Sequence, residues 1–111
     1  MVCCNVGAGQ ALALASLVSG RGLRSSRIAV AGSVDLRGRI VDSLDIDGKV
    51  KHANSEGLEL VVMSAYNRQC IDRRVDGWSE ELKAYASESV KGVKHFVDLL
   101  ELTMDGRWRP W

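Results

Sequence analysis

The stretch Val30-Ala31-Gly32-Ser33-Val34-Asp35-Leu36-Arg37-Gly38-Arg39-Ile40 constrains the fold of this chain more than any other. Residues 27–31 turn apolar after Arg27 and read as a short buried strand, and residues 34–41 alternate enough to form its neighbour. Gly32 and Gly38 permit tight backbone geometry or close approach at the two points where the chain must reverse. An amphipathic helix is predicted over 45–56, because Ile46, Val50 and Ala53 fall on one face at spacings of four and three. Asp45 or Asp47 can cap its start, and Gly57 stands where a left-handed stop belongs. Residues 58–63 then form a short apolar strand of the kind buried in a mixed or parallel sheet.

The same alternation extends to both sides. Residues 9–19 are rich in Ala and Leu, strong helix formers, and are apolar on nearly every side, which predicts a buried helix ending at Gly20. Residues 67–74 are polar and begin a turn or helix, and 78–89 carry a helical pattern in which Trp78 serves as a packing anchor. Gly92 is expected to break the chain before a last strand over 93–97 and a last helix over 98–104. Strands followed by helices and further strands require crossover connections, so the expected class is α/β, a small mixed sheet with flanking helices. Residues 1–104 make one domain, and 105–111 are a tail.

Composition narrows the function classes. Of 111 residues 46% are hydrophobic, and fifteen basic against fourteen acidic residues leave a net charge of +1, which fits a folded domain and not a disordered one. So balanced a charge gives no electrostatic reason to expect nucleic acid or an anionic membrane as partner, and no apolar run approaches the length of a membrane span. Three cysteines, Cys3, Cys4 and Cys70, make a poor disulfide framework, and no Cys/His spacing suggests zinc. Free thiols in a reducing compartment are expected. Residues 1–34 lack any acid and contain Arg21, Arg24 and Arg27 with several serines, a composition shared with mitochondrial transit peptides. The expected location is therefore intracellular, cytoplasmic or mitochondrial.

The Gly-x-x-x-Leu-Arg-Gly-Arg-Ile segment, Lys49 on the helix that follows it, Ala53, Gly57 and the run 58–63 together resemble the lysine-bearing part of the Lon protease proteolytic domain. The resemblance extends from about residue 6 to about residue 102. It matches Ser19-Gly20-Arg21 to the turn ending the family's buried Ala-rich helix, and residues 93–102 to its last strand and helix. Downstream of Lys49, Gly57, the strand and Asn67 occupy the family's Gly-Ile-x-x-Val-x-x-Pro-x-x-Asn pattern, with Ser64 in place of the proline. The resemblance implies Lon-type serine peptidase chemistry: a lysine made neutral by burial takes the proton of a serine hydroxyl that attacks an amide carbonyl. Lys49 falls on that lysine. Counting back through the helix places Asn5 on the nucleophilic serine, with Cys4 beside it, so the nucleophile is lost. Ala31 and Ser33 likewise replace the Thr and Glu that usually flank the glycine.

Lys49 is thus expected as a surviving proton carrier and Asn5 as a disabled nucleophile position. The family's ATPase module has no counterpart in the chain, and no cofactor or metal is expected. Partners implied by the resemblance are protein or peptide substrates and a homo-oligomer or larger Lon-like assembly. If the family's earlier strands are lost, the strand at 27–31 would expose an unpaired edge that self-association could cover. A second resemblance lies at the end of the chain. Trp108-Arg109-Pro110-Trp111 matches the terminal tetrapeptide with which Hairy-type repressors dock a corepressor, implying instead a non-catalytic interaction protein.

Overall fold

The computed structural model describes residues 2–3, 13 and 27–103. In chain order the strands are β1 (Val2–Cys3), β2 (Ile28–Val30), β3 (Ser33–Val34), β4 (Ile40–Val41), β5 (Leu60–Ser64) and β6 (Val90–Val93). The helices are α1 (Ile46–Ser55), α2 (Ala65–Arg74), α3 (Glu80–Ser89) and α4 (Phe96–Thr103), with a 3-10 turn over Val75–Gly77. Of the helix expected over 9–19 only Ala13 is described, and it is helical and exposed.

The α/β class holds, but the main sheet is not mixed. Strands β1, β2, β5 and β6 lie in that order and every pairing is parallel. Both long connections are crossovers: the β3/β4 hairpin and α1 link β2 to β5, and α2 with α3 link β5 to β6. Parallel strands need such excursions, because a tight turn cannot return the chain in the same direction. The edge of β2 is covered over part of its length, since Val2 pairs with Ala29 and Cys3 with Val30.

Residues along β2, β5 and β6 alternate between two cores. Ala29, Ala31, Val61, Met63 and Val90 pack with Ile46, Val50, Ala53, Ile71, Leu82 and Ala86 beneath α1, α2 and α3. Ile28, Val30, Val62 and Val93 face the other way, onto Ile40 from the hairpin and Leu99 and Leu100 from α4. Helices on both faces explain why β2 and most of β5 are continuous apolar runs, whereas β6 leaves Lys91 and Gly92 exposed between Val90 and Val93. Trp78 and Tyr85 seal the rim of the first core, as anticipated for Trp78, and the Tyr85 hydroxyl donates to the Leu58 carbonyl at 2.8 Å.

Residues 33–41 do not join β2. They pair with each other, Ser33 opposite Val41 and Val34 opposite Ile40, as a separate antiparallel ribbon. Gly32, at φ +112°, turns the chain out of the main sheet, and a Cβ there would lie 2.5 Å from the Val41 carbonyl oxygen. The ribbon is closed by Asp35, whose carboxylate accepts the Arg37 and Arg39 amides, each at 2.9 Å, and pairs with the Arg39 guanidinium at 2.8 Å. Its tip rests on His95, whose ring bonds to the Arg37 carbonyl at 2.9 Å and accepts the Val97 amide at 3.1 Å.

The last strand also differs from expectation, covering Val90–Val93 instead of 93–97. Gly92 does not break it. Helix α2 crosses so closely that a Cβ at 92 would meet the Arg68 Cβ at 2.8 Å and the Ala65 Cα at 3.1 Å. The glycine marks close packing, which sequence alone does not separate from a chain break. Gly57 behaves as expected: at φ +66° it ends α1, with Leu58 donating back to Ala53 at 3.0 Å.

Two outcomes test these assignments. Gly92→Ala should lower the unfolding free energy by about 1–3 kcal/mol through overpacking, read by urea denaturation. The Asp35 carboxyl is held below its ordinary value of 3.8, chiefly by the Arg39 amide, with burial opposing and the Arg37 amide and Arg39 side chain adding to the effect. A depressed carboxyl contributes stability that is present above the ordinary value and is lost as pH falls through the lower folded value. The Arg37 and Arg39 amide resonances should therefore hold their shifts to below pH 3.8, then move together, and Asp35→Asn should abolish that acid step.

Candidate functional site

The C-terminal ends of β2, β5 and β6 lie on one side of the sheet, the side on which ligands bind in parallel α/β folds. Two clefts open there, sharing Asp42 and Tyr66. One, of about 340 Å³, is lined by Ser43, Asp45, Ile46, Asn67, Cys70 and Arg74 among others. The other, of about 390 Å³, runs past Arg39, Ser64, Gln69 and Lys94.

Between them lies a chain of polar contacts. Ser64 ends β5 and caps α2, its hydroxyl accepting the Asn67 amide at 3.0 Å while donating to Asp42 Oδ1 at 2.6 Å. The cap fixes the first turn of α2, which aims the Asn67 side chain at the 42–45 connection. There its Oδ1 accepts the Ser43 amide at 2.7 Å and its Nδ2 donates to the Ser43 carbonyl at 3.2 Å. One carboxamide thus satisfies both backbone groups of a buried residue. Ser43, Ser64 and Asn67 are 7%, 3% and 4% exposed, and no buried side-chain polar atom among the described residues lacks a partner.

Lys49 lies in the first turns of α1, as expected, and is half-buried. Its amine does not stand in open solvent: Nζ donates to Ser43 Oγ, and that hydroxyl also lies 3.4 Å from the Leu44 carbonyl oxygen. The helix starts at Asp45, which adopts a left-handed conformation at φ 52°, ψ 46° and makes no side-chain cap bond. Aspartate tolerates this conformation better than most residues, and the carboxylate folds against Gly48, where a Cβ would come within 2.7 Å of it. Asp47 is held apart by Arg74 at 3.2 Å. Chemically, the arrangement offers a fixed hydroxyl in contact with an amine, beside a cleft whose walls include Leu44, Ile46 and Tyr66.

Asn5 and Cys4 lie outside the described residues, as does the tail with Trp108 and Trp111. Lys49 is the one expected site residue the structure describes. Ser43 and Asp42 had no signal as site residues in the sequence, because a loop residue six positions before a helical lysine follows no periodic rule. Asn67 had one: the Ser64-x-x-Asn67 spacing is that of a cap and its third helical residue. Among the described residues no cluster of His, Cys, Asp or Glu could hold a metal ion, Cys70 is a free thiol, and no helix is long and apolar enough to cross a membrane. A scan of protein-family models found none that matches the chain, and a search of curated proteins found no match either.

Asn67→Ala removes both partners of the Ser43 backbone at once. The unfolding free energy should fall by about 2–3 kcal/mol, and amide exchange at Ser43 and Leu44 should accelerate more than elsewhere in the domain.

Proposed function

We propose that this chain is the lysine-bearing part of a Lon-type proteolytic domain, descended from a Ser/Lys peptidase and unable to hydrolyse peptides by the family's route. Three features support the reading. The order of strand, glycine-turned hairpin, lysine-bearing helix, Gly57 stop, buried strand and Asn67-bearing helix is the order the resemblance implies. Lys49 lies at the end of the parallel sheet where such folds keep their chemistry. The position that should supply the hydroxyl is Asn5, whose amide has no nucleophilic oxygen.

The observation that carries most weight is the Lys49 amine itself, half-buried and donating to a buried serine. A lysine on a helix face is ordinarily solvated, and an amine held against a hydroxyl is the pairing a proton carrier needs. In this reading Lys49 is the surviving proton carrier and Asn5 the disabled nucleophile position. The protein works inside the cell, cytoplasmic or mitochondrial, within a homo-oligomer or a larger Lon-like assembly.

The test is restoration. The chain as it stands should leave fluorogenic peptides and casein uncut, whereas Asn5→Ser should gain peptide cleavage that Lys49→Gln then abolishes. Cleavage by Asn5→Ser that persists without Lys49, or no gain at all in a folded Asn5→Ser protein, would overturn the assignment.

A further inference from the structure

We propose that Ser43 is itself a nucleophile served by Lys49, and that the cleft beside it takes a small acyl compound such as a carboxylic ester. The assignment rests on contacts made within residues 43–49 and 67, and it stands whether or not the chain is of Lon type.

Three observations converge on Ser43. The Lys49 amine donates to its hydroxyl, which puts a nitrogen that can act as a base against Oγ. Its backbone is clamped at N–H and C=O by the Asn67 side chain, so the hydroxyl is held in one place before any substrate arrives. It lines a cleft of about 340 Å³, a size suited to a small molecule, whose walls include Leu44, Ile46 and Tyr66. The lining sets two carboxylates, Asp42 and Asp45, and the Arg74 guanidinium beside its apolar walls, a nearly balanced charge that suits neutral acyl compounds.

The step balances without an outside reagent. As Ser43 Oγ attacks the carbonyl carbon, its proton passes to the Lys49 amine acting as base and the C=O electron pair moves onto oxygen. Collapse of the adduct breaks the bond to the leaving alkoxide, which takes the proton back from Lys49. Water then repeats the sequence, releasing the carboxylic acid and restoring the hydroxyl.

The experiment uses the full chain with a fluorophosphonate probe and p-nitrophenyl acetate, the modified residue being located by peptide mass mapping. The expected result is one adduct per chain, on Ser43, absent in Ser43→Ala. Lys49→Arg is the decisive variant. It keeps a nitrogen donor for Ser43, but a guanidinium does not give up its proton at working pH. Labelling in a Lys49→Arg protein of unchanged urea midpoint should slow by about 100-fold or more, the usual contribution of a positioned base. Adduct formation on Ser43 at the same rate in wild type and Lys49→Arg would show the pair to be a structural clasp and overturn the proposal. So would a wild-type chain that labels elsewhere or not at all. None of these results depends on position 5, so failure here and failure of the Lon-type reading are separable.

Discussion

Everything in this molecule depends on strands β2 and β5 being buried on both faces at once. Val61 and Met63 point to one side of β5 and Val62 to the other, and all three are sealed from solvent. A strand with water on one face can alternate apolar with polar residues; a strand covered twice cannot. That requirement commits the chain to helices above and below the sheet, and so to the long crossovers that supply them. The 42–45 connection and the start of α1 belong to one crossover, and Ser64 and the start of α2 belong to the next. Their meeting at one end of the sheet is a consequence of strand direction, not of any local preference.

Where they meet, one side chain joins the two crossovers. Asn67 reaches from α2 to the backbone of Ser43 and bonds it in both senses, while Ser64 holds the Asn67 amide and Asp42 the Ser64 hydroxyl. Buried polar networks stabilise when every member is satisfied and cost a good deal when one is not. Here the Lys49 amine completes the set, touching a hydroxyl whose surroundings are already fixed.

The class of fold and the placement of Lys49 on α1 are legible in the sequence, because both follow from periodicity. Val50 and Ala53 at helical spacing and the apolar run around Val61 and Val62 each allow one reading. Glycine misleads twice. Gly92 looks like a break and is a close approach of helix to strand, and Gly32 looks like the turn of a hairpin that joins β2 but instead leads the chain out of the main sheet. A missing side chain records that space is short without recording what fills it. Ser43 is invisible for a different reason: its importance lies in its contact with Asn67, twenty-four residues away and on another crossover, which no local pattern encodes.

The turn that starts α1 has an evolutionary corollary. The Asp45 carboxylate lies against the bare Cα of Gly48, and the backbone at 45 is left-handed. A side chain at 48 would evict the carboxylate, while a bulkier residue at 45 would have to abandon the handedness that points the helix toward Ser43. Neither position can drift alone, so in any lineage that retains this geometry the two are expected to change as a pair, with glycine at 45 as the simplest companion for a larger residue at 48.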